Sequence, residues 1–250
     1  YEEIKRKTIS FKGGLSSLTN SLTNHLTDCI RTDSKILNID TINEGYKITY
    51  ANKKRIRSIN SKNIICTIPS YNLKDLTINN KKCDEFIELS KIKYPPVISI
   101  SLGYNSNDIS HSLDGFGALV PKCENMNILG VLFSSSLFKD RAPIGKSLLT
   151  VFLGGARNPE YINFSSDERL KIVCTDLDKL LGIKSKPIMI SESIWDKSIP
   201  QYEVGYGNFK SILNILEAKL PGFYFAGNYI NGVSIQDTIL NSMNLIYTKF

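Results

Sequence analysis

The stretch that most constrains this chain is Gly222-Phe-Tyr-Phe-Ala-Gly-Asn-Tyr-Ile-Asn-Gly-Val-Ser-Ile-Gln-Asp-Thr-Ile239. Phe223, Tyr224, Phe225 and Ala226 form a short apolar run of the kind that makes a buried strand, and Gly227-Asn228 ends it. Gly232 then opens an amphipathic segment carrying Val233, Ile235, Ile239, Met243 and Ile246. A buried strand, a glycine-bearing turn and a helix start, in that order, aim backbone N–H groups and a positive dipole end at whatever lies above the strand. An electron-rich ring or an oxyanion can be held there without a charged side chain. A turn that serves packing alone has the same pattern, so the residues by themselves leave both readings open.

The rest of the chain alternates helix and strand signals without repeats. Gly14 opens a helix whose Leu15, Leu18, Leu22 and Leu26 lie on one stripe. Ile36–Asp40 and Tyr46–Tyr50 flank Asn43-Glu44-Gly45 and read as a hairpin, and Asn63–Ile68 is a buried strand stopped by Pro69. Strand-like runs at 97–103, 127–133 and 147–153 predict a mixed sheet. Ser165-Ser-Asp-Glu168 is a capping box for a helix through about Leu181, closed by Gly182. A strand at 187–195 and a helix from Asn208 to Leu220 lead into the final unit. The class is α/β (α+β).

Composition excludes several functions. The 31 Lys and Arg against 24 Asp and Glu leave a net charge of +7, spread through a chain rich in Lys, Asn and Ile. That excess suits an anionic membrane surface or substrate, although its dispersal has a plainer compositional origin. No basic cluster interleaves with aromatics, so no nucleic-acid partner is expected. Five cysteines without a Cys-x-x-Cys pair, and no signal peptide, point to reduced thiols inside a cell. His25 and His111 are isolated, so neither a zinc site nor a Ser/His/Asp triad is expected. The apolar runs are too short to span a bilayer, so any membrane contact is peripheral. With 42% hydrophobic residues, the 250-residue chain can build one large or two modest cores.

Several blocks carry a resemblance. They are Phe11-Lys-Gly-Gly-Leu15, Tyr94-Pro-Pro-Val97, and Asp114-Gly-Phe-Gly117 with Leu119 and Pro121. Further on come Ile128-Leu-Gly-Val-Leu-Phe-Ser-Ser-Ser-Leu-Phe-Lys-Asp-Arg-Ala-Pro143, Leu148–Ala156, Ile199-Pro-Gln201 with Gly205, and the Gly227–Val233 turn. In content, order and spacing they resemble the plant and bacterial branch of the protoporphyrinogen oxidases, within the flavin amine oxidase superfamily. The resemblance implies an FAD-binding, Rossmann-like domain contributed by residues 1–68 and 222–250, interrupted by a mixed-sheet substrate-binding domain over 69–221. It also implies FAD-dependent oxidation of protoporphyrinogen IX to protoporphyrin IX with molecular oxygen as acceptor.

Residue by residue, the resemblance implies flavin-side positions at Gly227, Gly232, Val233, Ser234 and Ile235. It adds Ile36 on the adenine side, Trp195 near the flavin, and Leu119 and Phe138 against the macrocycle. Ordinary packing is the competing reading for each. No catalytic acid–base pair and no metal are expected, because flavin chemistry needs positioning more than proton transfer. Arg141 is read as structural. The chain departs from the family at Gln236-Asp237-Thr238 and Met243, and it contains no Gly-x-Gly-x-x-Gly phosphate-binding turn. Together with a start at Tyr1, this leads to the expectation that the chain is the C-terminal portion of a longer enzyme. Such a portion is expected in the cytoplasm or at a membrane surface, or in a plastid if eukaryotic, with oligomerisation left open. The alternatives are a non-catalytic porphyrin-binding remnant and a related flavin-dependent amine oxidase or desaturase.

Overall fold

The computed structural model describes residues 8–250. In chain order the elements are α1 (Ser16–His25), β1 (Ser34–Ile42), β2 (Gly45–Asn52), β3 (Arg55–Ser61), β4 (Ile64–Cys66), α2 (Ser70–Leu73), α3 (Asp84–Leu89) and β5 (Val97–Asn105). They continue with β6 (Gly117–Leu119), β7 (Gly130–Leu132), α4 (Ser134–Leu137), β8 (Lys146–Gly154), α5 (Ser166–Leu181) and β9 (Met189–Trp195). The chain ends with α6 (Gly207–Lys219), β10 (Phe223–Phe225), α7 (Asn228–Asn231) and α8 (Ile235–Lys249). Among the described residues no helix is long and apolar enough to cross a membrane.

The α/β class holds, and the strands fall into three sheets. β1, β2 and β3 form an antiparallel meander, β4 and β10 pair in parallel, and the order β6-β7-β8-β5-β9 makes a five-stranded sheet. The pairing of that larger sheet departs from the mixed arrangement predicted for it. Every pair in it is antiparallel, and the parallel ladder lies instead between β4 and β10. The reason is topological. α5 carries the chain from β8 to β9 in the same direction, but β5 sits between them and opposes both. β3 extends the predicted hairpin by a strand.

Alternation along β5 and β8 gives the large sheet two unlike faces. Ile98, Ile100 and Leu102 of β5 and Leu149, Val151 and Leu153 of β8 point into a core closed by Val173, Leu177 and Leu181 of α5. The opposite face carries Val97, Ser99, Thr150 and Phe152. The predicted capping box starts α5: Glu168 N donates to Ser165 Oγ at 3.3 Å and Ser165 N to Glu168 Oε2 at 2.7 Å. Gly182, at φ 65°, ends it. Two side chains tie α5 to its surroundings. Buried Asp176 accepts from Asn127 N at 2.6 Å and Ile128 N at 3.0 Å. Arg169 donates twice to Glu192 of β9, each at 2.7 Å.

A second core joins β4 and β10 to α2, α3 and α6 through Cys66, Leu73, Phe86, Leu89, Leu216 and Phe223. It holds the short parallel pair in place, and beyond the carboxyl ends of that pair lies the glycine turn.

Candidate functional site

Cys66 and Phe225 end the two parallel strands side by side, and Ala226 N donates across to Cys66 O at 3.0 Å. Beyond them Thr67 and Pro69 from one strand, and Ala226 and Gly227 from the other, wall a cavity of about 420 Å³ whose far side is Val233 and Ile235. Ligands of open α/β sheets bind in the crevice outside the carboxyl ends of parallel strands.

The turn around this cavity fixes its glycines sterically. Gly232 has φ 131° and ψ 142°, and a Cβ there would lie 2.7 Å from Asp237 Oδ2. At Gly227, with φ 149°, a Cβ would meet the Tyr229 ring at 2.9 Å. Ser234 caps α8, its Oγ accepting from Asp237 N at 3.0 Å and donating to Asp237 Oδ2 at 2.7 Å. Gly232 N donates to Tyr202 Oη at 2.9 Å. The amides of Val233, Ser234, Ile235 and Gln236 have no acceptor among the described residues. The Tyr229 hydroxyl is buried without a partner among the described residues, and burial holds its pKa well above the ordinary phenol value. Burial likewise pushes the Cys66 thiol up to about 11, so both groups are neutral near pH 7. An aliphatic wall and a helix start offering amides fit a planar ring with an electron-rich edge.

The open face of the large sheet holds a second cavity, of about 650 Å³. Leu119, Leu132, Phe116, Phe152, Val97 and Ile199 line it, and no lining side chain is titratable. Leu119 is 90% exposed and Phe116 53% exposed. The size falls within the range of small-molecule sites, and the apolar lining gives flat contact area without acid–base groups.

The structure separates the residues singled out from sequence into groups. Gly227, Val233 and Ile235 line the crevice, and Gly232 and Ser234 shape its rim. Trp195 stands directly across from Val97 on the open sheet face, so it neighbours the sheet cavity. Leu119 lines that cavity, whereas Phe138 does not; its ring lies 5.6 Å from the Arg141 guanidinium. Arg141 donates to Ser10 Oγ at 2.7 Å and to Phe11 O at 3.3 Å, an intrachain tie. Ile36 lies at a bulge in β1 and lines a separate hollow with Arg31, Ile48 and Tyr50. Sequence reasoning missed Phe116, Phe152, Tyr202 and Tyr229 as site residues. Phe116 was detectable, since an aromatic between Gly115 and Gly117 has no adjoining side chains to cover it.

The family model for flavin containing amine oxidoreductases matches residues 1–244. An Arabidopsis thaliana protein named protoporphyrinogen oxidase 2, chloroplastic/mitochondrial, is 31% identical over 245 residues, covering 94% of this chain and 48% of that protein. A chloroplastic protoporphyrinogen oxidase of Nicotiana tabacum is 32% identical over 240 residues, covering 90% of this chain and 43% of its own length. The chain thus spans about half the length of the curated relatives it matches. A crystal structure of a candidate protoporphyrinogen oxidase from Exiguobacterium shares the fold, with a TM-score of 0.77 at 21% identity over 96% of this chain and 51% of the other. From the motif blocks, the crevice and the family match taken together, the chain belongs to the flavin containing amine oxidoreductases.

Proposed function

We propose that this chain supplies the isoalloxazine-side and substrate-side walls of an oxygen-dependent, FAD-containing protoporphyrinogen oxidase. The observation that carries the reading is the pairing of two unlike sites on one chain. One is a glycine turn with unpartnered amides at the carboxyl ends of parallel strands; the other is an apolar, charge-free cavity on a neighbouring sheet. When bound, the flavin supplies the two-electron acceptor. The amides of Val233–Gln236 offer hydrogen-bond donors to an electron-rich edge, while Val233 and Ile235 exclude water. Leu119, Phe116 and Phe152 hold a flat macrocycle through apolar area. None of these residues moves a proton, which agrees with a reaction in which positioning dominates.

Ile36 on the adenine side, Trp195 near the flavin and Phe138 as a second macrocycle contact remain part of the proposal. So does the division into 1–68 and 222–250 around 69–221; α2, α3 and α6 fall in the middle segment yet pack in the core of β4 and β10. The relatives' names place them in chloroplasts and mitochondria, and an organellar or cytoplasmic site at a membrane surface is proposed for this chain.

The test is a titration of the purified 250-residue chain with protoporphyrin IX and, separately, with FAD. Saturable porphyrin binding with weak FAD binding is expected, because the chain has no Gly-x-Gly-x-x-Gly turn for the pyrophosphate. A folded chain that binds neither overturns the reading.

A further inference from the structure

The segment from Trp195 to Tyr206 runs from the edge strand of the large sheet to α6 and touches both sites. Ser198 and Ile199 line the sheet cavity. The backbone is then pinned, Ser198 N donating to Pro95 O at 3.2 Å and Gln201 N to Lys93 O at 2.9 Å. Tyr202 follows, its ring centroid 4.4 Å from that of Tyr206.

The position of the Tyr202 hydroxyl is unusual in one respect. Asn228 C=O and Gly232 N–H are four residues apart, the acceptor and donor that meet directly in an α-helix. Here Tyr202 Oη stands between them, accepting from Gly232 N at 2.9 Å and donating to Asn228 O at 2.6 Å. A side chain inserted into the helical ladder bends or interrupts the helix. The interruption is present: α7 stops at Asn231, Gly232 takes a positive φ of 131°, and α8 restarts at Ile235 behind its own Ser234 cap.

We infer that Tyr202 is a positioning residue, a wedge whose hydroxyl keeps α7 and α8 apart and thereby holds the amides of Val233–Gln236 open toward the crevice. Without the hydroxyl, Gly232 N–H is released to close on Asn228 C=O, which draws the following amides toward the α7 axis and away from a ligand. This inference rests on the flavin reading of the crevice but uses only hydrogen bonds within the chain. Tyr206, packed beside Tyr202, is a built-in comparison: its hydroxyl donates at 2.6 Å to Tyr229 O, the next carbonyl of the same ladder, but takes no N–H of the turn.

Tyr202→Phe and Tyr206→Phe are compared with wild type on the full chain, using thermal melting, the amide resonances of Gly232 and Ile235, and titration with lumiflavin, the ring without its phosphates. Tyr202→Phe is expected to keep the wild-type melting temperature within a few degrees, shift both resonances, and bind lumiflavin about three- to ten-fold more weakly. Tyr206→Phe is expected to melt lower while leaving those resonances and the affinity in place. Unshifted Gly232 and Ile235 signals in Tyr202→Phe overturn the wedge. So does unchanged lumiflavin affinity, or a loss that Tyr206→Phe reproduces in full. If the wild-type chain takes no lumiflavin, the flavin reading fails, and the resonances alone still decide whether Tyr202 holds the turn.

Discussion

Gly232 is required either by the cofactor or by the turn itself, and the structure favours the turn. A Cβ at Gly232 would lie 2.7 Å from both Cβ and Oδ2 of Asp237, and the backbone there, at φ 131°, belongs to a region nearly closed to other residues. Gly232→Ala therefore carries backbone strain of about 1–3 kcal/mol. It also pushes Asp237 off Ser234, loosening an N-cap worth about 0.5–2 kcal/mol. A total loss of about 1.5–5 kcal/mol follows. Asp237→Gly alone costs about 0.5–1 kcal/mol in helix propensity and about 0.5–1.5 kcal/mol for the lost Ser234 Oγ–Oδ2 hydrogen bond, while the backbone N–H of 237 keeps its bond to Ser234 Oγ. In the double variant the steric conflict is gone and strain remains, so its loss should fall short of the summed singles by about 1 kcal/mol or more. Urea denaturation of the four proteins measures this directly. Additive losses, within about 0.5 kcal/mol, would refute the steric account. A Gly232→Ala protein as stable as wild type that has lost flavin affinity would assign the glycine to the cofactor instead.

Four further outcomes are expected. Leu119→Ser, at a 90% exposed side chain, should leave stability unchanged and weaken protoporphyrin binding about ten- to a hundred-fold, whereas unchanged affinity would remove Leu119 from the site. In parallel, Phe138→Ala should weaken binding about five- to a hundred-fold if the ring meets the macrocycle, and a lower melting temperature at constant affinity would leave it as packing against Arg141. Asp176→Ala strands one buried and one part-buried backbone N–H group and should cost about 2–5 kcal/mol in denaturant unfolding, with a loss under about 1 kcal/mol refuting the anchor. The hydrogen bond from Lys219 holds the Glu85 carboxyl down to about 2 from an ordinary 4.5, so this tie between α3 and α6 contributes fully above pH 4.5 and fades as pH falls toward 2. Glu85→Gln should flatten that acid limb of the stability curve, and an unaltered limb would exclude the pair.

What was legible in the sequence was mostly local. The capping box at Ser165 and the glycine stop at Gly182 bounded α5 because both signals lie within one helical turn of the ends they mark. β3 was invisible because its turn from β2 uses Lys53 and Lys54 at φ 44° and 68°, where glycine or asparagine usually announces such a backbone. The strand order of the large sheet was equally hidden, since β5 finds its partners about 50 and 90 residues away and no periodicity encodes that choice. At the site, the glycine turn was readable from spacing. Tyr202 was not, because its two hydrogen bonds reach residues 26 and 30 positions away.

The two-faced sheet bears on how such a protein changes over evolutionary time. Neighbouring residues of β5 and β8 meet different demands: Ile98, Val151 and Leu153 pack the core, while Val97, Ser99 and Phe152 stand on the open side. Drift at one parity of position can retune ligand preference while the other parity holds the scaffold constant. A chain built this way can change the open face by single substitutions that leave the packed core untouched.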